Sequence, residues 1–90
     1  MRFQQLECLL AVADTESYYE AAQKTMYPQN IIIKCIQELE GGLGHPLVQV
    51  EDKVAVLTSQ GMLVEKYARV IVQQVTELYD IMDAQLFSND

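Results

Sequence analysis

The chain is poor in the residues that usually announce a chemistry. Among its 90 residues are two cysteines, one histidine, two prolines, four glycines and six basic side chains. Cys8 and Cys35 stand far apart, each inside a helical pattern. Two such thiols make no disulfide framework and are expected to stay reduced. His45 sits between Gly44 and Pro46, with no cysteine or carboxylate at ligand spacing, so no metal site is expected. No glycine-rich phosphate loop follows a strand, and neither Cys-x-x-Cys nor Gly-x-Ser-x-Gly occurs. The adjacent acids Glu51 and Asp52 suit a solvated turn better than a catalytic pair. Nothing therefore points to an enzyme, a catalytic residue or a cofactor. No apolar run approaches the ~20 residues that cross a bilayer, and no charged-then-apolar leader opens the chain, so a cytoplasmic location is expected.

Positive charge is also scarce. Six basic residues face thirteen acidic ones, for a net charge of −7. Residues 1–60 hold Arg2, Lys24, Lys34 and Lys53 against eight acids, and residues 61–90 hold Lys66 and Arg69 against five. Neither part is basic, which weighs against nucleic acid, because lysine and arginine supply much of the affinity for phosphate. Position outweighs the sum, however, and the pattern along the chain decides where those few cations go.

What is present is apolar periodicity. Hydrophobic residues make up 50% of the chain and charged ones 21%, enough for a packed core. Phe3, Leu6, Leu9, Leu10 and Ala13 recur at three- and four-residue steps, predicting a helix with one buried face. Ser17 stands three residues before Glu20, a capping box that opens a second, short helix carrying Ala21 and Ala22. Pro28 suits the first position of a third helix, whose expected core stripe is Ile32, Ile36, Leu39 and Leu43. Its opposite face carries Gln29, Asn30, Ile33, Lys34 and Gln37. Gly44 is the candidate left-handed cap at its end.

Between Leu47 and Leu57 the period shortens, and two runs rich in β-branched residues flank Glu51-Asp52-Lys53. That predicts a hairpin, with no Asn-Gly or Asp-Gly to set its register. Thr58 is the candidate cap of a last helix reaching roughly residue 87, on the order of 40 Å long at ~1.5 Å per residue. Val64, Ala68, Ile71, Val75, Leu78 and Met82 form a heptad-like seam along it, and so long an apolar helix needs a partner. A second copy of the chain is the expected one.

The expected architecture is mainly α: three helices and a small β-hairpin wing, a winged helix-turn-helix, followed by a long dimerisation helix. The domain is expected at 1–58, with the helix-turn-helix at about 18–37 and the wing at about 47–57, and the linker helix at 59–90.

Over nearly its whole length the chain also resembles the N-terminal domain of LysR-type transcriptional regulators. The resemblance is carried by Leu6, Ala11-Val12-Ala13, Ser17, Ala21-Ala22, Gln29, Ile36, Leu39-Glu40, Leu43-Gly44, Pro46-Leu47, Leu57-Thr58 and Gly61, in order and without an insertion. It implies a bacterial transcription factor acting at the nucleoid, whose third helix enters the DNA major groove and whose wing meets the flanking backbone. It also implies a homodimer and a further, effector-binding domain outside these residues. Gln29 and Lys34 match family positions at the reading surface. Elsewhere the match fails: Pro28, Asn30 and Ile33 replace the usual small or hydroxylated residues. Tyr19 and Glu20 stand where a threonine and a basic residue are common, and Val48 and Val50 replace a phenylalanine and an arginine of the wing. Tyr19 retains a hydroxyl for a phosphate, Ile33 can meet a thymine methyl, and Lys53 keeps one cation at the wing tip. The candidate DNA-binding set is thus Tyr19, Gln29, Asn30, Ile33, Lys34, Gln37 and Lys53. The acidic balance leaves one alternative, a winged-helix dimer that docks protein through Ile31, Ile33 and Val50 with DNA binding weakened or lost.

Overall fold

The computed structural model describes residues 1–88, and side chains through residue 84. The expected linker region's last two residues, 89 and 90, lie outside the described residues. Four helices and one hairpin follow in order: α1 (Phe3–Thr15), α2 (Tyr18–Thr25), α3 (Gln29–Leu43), β1 (Val48–Glu51), β2 (Val54–Leu57) and α4 (Ser59–Ser88). This is the winged helix-turn-helix with a long trailing helix.

The boundaries follow from local chemistry. At the start of α1 the Gln5 side chain accepts the Arg2 N–H at 3.1 Å, which gives buried Gln5 a partner. The Ser17 hydroxyl accepts the Glu20 N–H at 3.1 Å and opens α2. Pro28 occupies the cap position, and α3 begins one residue later than its proline suggested. Gly44 closes α3 at φ 77°, its N–H donating to the Glu40 carbonyl at 2.8 Å. Thr58 joins two elements at once. Its hydroxyl accepts the Gly61 N–H at 3.0 Å and donates to the Pro46 carbonyl at 2.7 Å.

The wing is a two-stranded antiparallel ribbon pairing Val48 with Leu57, Gln49 with Val56, Val50 with Ala55 and Glu51 with Val54. Asp52 and Lys53 turn it, both left-handed at φ 50° and 66°. Two consecutive positive φ values fit the right-handed twist of a tight hairpin, although neither residue is glycine. Both long sides of the ribbon are tied to the body. The Ala55 N–H donates to the Glu16 carbonyl at the end of α1, at 2.9 Å. Glu40 of α3 accepts the Leu47 and Val48 N–H groups through one carboxylate oxygen, at 2.7 and 3.2 Å.

The core gathers Leu6, Leu9 and Val12 from α1, Ala21 from α2, and Ile32, Ile36 and Leu39 from α3. Leu47, Ala55 and Ala68 complete it. Each large side chain so enclosed contributes roughly 1.5–3 kcal/mol. Cys8 and Cys35 are free and buried where α1 meets α3. The expected stripes need adjustment at their ends: Phe3 and Leu43 are 38% and 37% exposed, and Cys35 takes the inward position on α3.

The first half of α4 belongs to this body. Ala68 is 1% exposed, and Val64 and Val72 pack beside it against the core. Asp14, at the end of α1, holds the same region from outside. It takes Arg69 of α4 at 2.7 Å and Lys24 of α2 at 2.9 Å, while Arg69 also reaches Glu65 at 2.6 Å. Beyond Val75 the helix leaves the body, and every residue from Thr76 to Ala84 is exposed. The molecule measures 55 × 25 × 18 Å as a result. No described helix is long and apolar enough to cross a membrane.

Candidate nucleic-acid interface

The turn joining α2 to α3 sets the geometry of the outer face. Met26 ends α2 in a left-handed conformation, φ 65°, its N–H donating to the Ala22 carbonyl at 2.9 Å. Thr25 donates its hydroxyl to the Ala21 carbonyl at 2.8 Å and accepts the Tyr27 N–H at 3.2 Å. With Ala21 fully buried, α2 lies close against its neighbours. Pro28 then redirects the chain into α3 without contributing a side-chain cap.

Helix α3 is divided cleanly between inside and outside. Ile32, Cys35, Ile36 and Leu39 are buried, whereas Gln29, Asn30, Lys34 and Gln37 are exposed and Ile33 is half-buried. The five outward residues lie on one face by helical spacing. At the helix start, the uncapped N–H groups add the positive end of the dipole to that face. Ile31, offered from sequence as part of a protein-docking patch, packs against the core instead.

The wing and α2 flank this helix. A groove of about 520 Å³ is lined by Ser17, Tyr18, Tyr19, Gln29, Val50 and Lys53. Tyr19, Gln29 and Lys53, separated widely in sequence, therefore meet around one depression. Tyr19 is 64% exposed beside it. Sequence reasoning left out Tyr18 and Ser17 from this wall. Tyr18 follows the helix cap directly, and only the position of the wing reveals its part. Burial, followed by the nearby Glu40 carboxylate, raises the Tyr18 hydroxyl pKa, so it remains a neutral donor.

Electrostatics sharpen the picture. Of the six cationic side chains, Arg2 is paired with Glu38 at 2.8 Å, and Lys24 and Arg69 are held by Asp14. Among the described residues no ion pair involves Lys34, Lys53 or Lys66, and Lys66 lies 6.0 Å from the Tyr67 ring centre. Two of the three unpaired cations thus sit on α3 and at the wing tip. Glu51 and Asp52 directly precede Lys53 in sequence and dilute its field.

Along α4 the expected seam divides. Val64 and Ala68 turn into the protein's own core, Val75 is half-buried, and Ile71, Leu78 and Met82 are exposed. The outward apolar stripe keeps Ile71 and Leu78 of that seam and adds Leu63, Tyr67, Val70 and Ile81, all at least 41% exposed. It is rotated from the expected line by about one residue, because the domain itself consumes the Val64–Ala68–Val72 face.

A family model for bacterial regulatory helix-turn-helix proteins of the lysR family matches residues 3–62, from the start of α1 into the first turn of α4. The chain belongs to this family. Solved structures agree with that membership. The CbnR DNA-binding domain in complex with DNA is 29% identical with a TM-score of 0.85, covering 96% of this chain and 99% of that one. The BenM DNA-binding domain bound to a catB site is 23% identical with a TM-score of 0.90 over all of both chains, a likeness of fold. Full-length CbnR, a LysR family transcriptional regulator, is 30% identical with a TM-score of 0.85. The match covers 93% of this chain and 29% of that protein. No curated protein matches the chain by sequence. The matched span of this LysR-family domain takes in α1, α2, α3 and the whole wing.

Proposed function

We propose that this chain is the DNA-binding part of a LysR-type transcriptional regulator and binds double-stranded operator DNA sequence-specifically as a homodimer. The observation that carries this reading is the outward face of α3. Gln29, Asn30, Lys34 and Gln37 are exposed and uncommitted to the core, and Lys34 has no carboxylate partner among the described residues. A side-chain amide can hold an adenine edge through two hydrogen bonds, and a lysine can hold guanine or phosphate. Tyr19 and Lys53, which line one groove with Gln29, bring a hydroxyl and a cation suited to the flanking backbone. CbnR, similar over nearly the whole chain, is bound to DNA in its crystal structure, which supports the same use here.

The exposed stripe of α4 supplies the second copy. A projecting helix with Leu78, Tyr79, Ile81 and Met82 all in solvent is marginal alone and gains by pairing. With so few free cations each half binds weakly, and two half-sites engaged together gain through effective concentration. The dimer and the DNA surface are tested separately. Ile71→Lys with Leu78→Lys should halve the sedimentation mass and leave a folded monomer. Lys34→Glu should weaken retention on a random-sequence duplex at low salt while the mass stays dimeric. A parent chain that ignores every duplex at low salt would overturn the DNA reading.

A further inference from the structure

The α3 face holds one residue that its neighbours do not explain. Gln29, Asn30, Lys34 and Gln37 all carry hydrogen-bonding side chains, yet Ile33 sits among them. It belongs neither to the buried core nor to the partly buried residues packed against it, whereas adjacent Ile31 and Ile32 do. The core therefore does not require an isoleucine there. A β-branched side chain also loses rotamer freedom in a helix, so local propensity does not favour it either. A half-buried apolar side chain with Asn30 one turn before it and Gln37 one turn after is suited to a surface that is polar with a single apolar point.

The floor of a DNA major groove has that character. Donors and acceptors line it, and the one apolar group the bases present is the C5 methyl of thymine. Asparagine and glutamine pair best with adenine, the partner of thymine. On α3, Asn30 lies one turn before Ile33 and Gln37 one turn after, so one helix face offers amides for adenine and an aliphatic side chain for a neighbouring methyl. Resting on the DNA-binding reading above, we infer that Ile33 is a specificity-determining residue that reads a thymine methyl near the centre of each half-site.

The test uses a duplex selected by the purified chain from a randomised thymidine-containing pool. In that duplex deoxyuridine replaces thymidine one position at a time, which removes the methyl and leaves every hydrogen bond in place. One position per half-site should lose about four-fold in affinity, the effect of one buried methyl-sized group. Ile33→Ala, which suits a helix and leaves the core untouched, should bind thymine and uracil alike at that position. Its helical circular dichroism and thermal midpoint should match the parent's, since the core does not use Ile33. A parent indifferent to uracil at every position, or an Ile33→Ala variant that keeps the discrimination, overturns the assignment and leaves the DNA-binding reading standing. Failure to retain any duplex at low salt overturns both.

Discussion

Gly61 is the residue whose replacement has the most legible consequence. A methyl placed on its Cα would lie 2.1 Å from the Leu47 carbonyl oxygen, 3.0 Å from the carbonyl carbon and 3.2 Å from Leu57 Cβ. The obstruction is backbone, so no side chain can rotate away. The first turn of α4 must instead retreat by roughly 1 Å to reach an ordinary contact. That same Leu47 oxygen accepts the Thr58 N–H at 2.9 Å, and the Thr58 hydroxyl holds Pro46 at 2.7 Å. Retreat strains both bonds. Overpacking of this kind costs about 1–3 kcal/mol and a weakened hydrogen bond about 1 more, while helix propensity returns up to about 1. Gly61→Ala should therefore destabilise by about 2 kcal/mol. For a chain of this size the midpoint of thermal unfolding should fall by roughly 8–16 °C at fixed protein concentration. Gly42→Ala is the matched control, since nothing lies within 4 Å of its added methyl and its φ is ordinary. It should leave stability unchanged or raise it by up to about 1 kcal/mol. A Gly61→Ala midpoint equal to or above the parent's would refute the close approach of α4 to the wing.

The remaining predictions address the wing, the ion pairs and the thiols. Lys53→Gly relieves a left-handed lysine and should stabilise by about 0.5–1 kcal/mol in urea unfolding while weakening binding to duplex, so that stability and affinity move in opposite directions. Hydrogen bonds from Arg69, then from Lys24, hold the Asp14 carboxyl below its usual range. Its contribution is present above the unfolded value near pH ~4 and is lost as pH falls through the lower folded value. Asp14→Asn should thus cost up to about 1 kcal/mol at pH 7, with parent and variant converging in acid unfolding curves. Burial, then the Cys35 thiol beside it, pushes the Cys8 thiol up to about 12. Native protein at pH 8 should therefore resist a thiol reagent that labels it fully in urea. Stability should decline above pH ~9, where the unfolded thiol ionises and the buried one does not.

Most of the architecture was legible because its punctuation is local. Ser17 with Glu20, Pro28, Gly44 and Thr58 each act within a few residues of where they stand, and each lies at an element boundary. The outward set on α3 followed from its period, because a strong inner stripe leaves only one other face. The α4 seam divided between core and surface for the opposite reason. Apolar residues occur nearly all round that helix, so periodicity alone does not say which stripe the domain takes and which it leaves exposed. Contacts between distant parts left no local mark. Asp14 meets Arg69 across 55 positions, and Glu40 reaches forward to the start of the wing. The meeting of Tyr19, Gln29 and Lys53 around one groove is of the same long-range kind.

Those ties also bear on the charge problem. A net charge of −7 is unfavourable for a duplex at long range. Three of the six cations, however, are occupied in holding Arg2 to α3 and both α2 and α4 to Asp14 of α1, which leaves Lys34 on α3, Lys53 on the wing and Lys66 on α4 outside any ion pair among the described residues. Affinity resting on two lysines per subunit should be modest and should depend on the dimer.

The most direct measurement is the salt dependence of duplex affinity for the parent and for Lys34→Glu, with Lys66→Glu on α4 as a charge-matched comparison. Two lysines in each of two subunits correspond to about four phosphate contacts, and log affinity should fall with log salt at a slope of about −3.6. Loss of Lys34 from both subunits should flatten that slope by about 1.8, whereas Lys66→Glu should leave it nearly unchanged. Equal slopes for the parent and Lys34→Glu, or equal losses from the two substitutions, would show that the outward face of α3 does not meet the duplex.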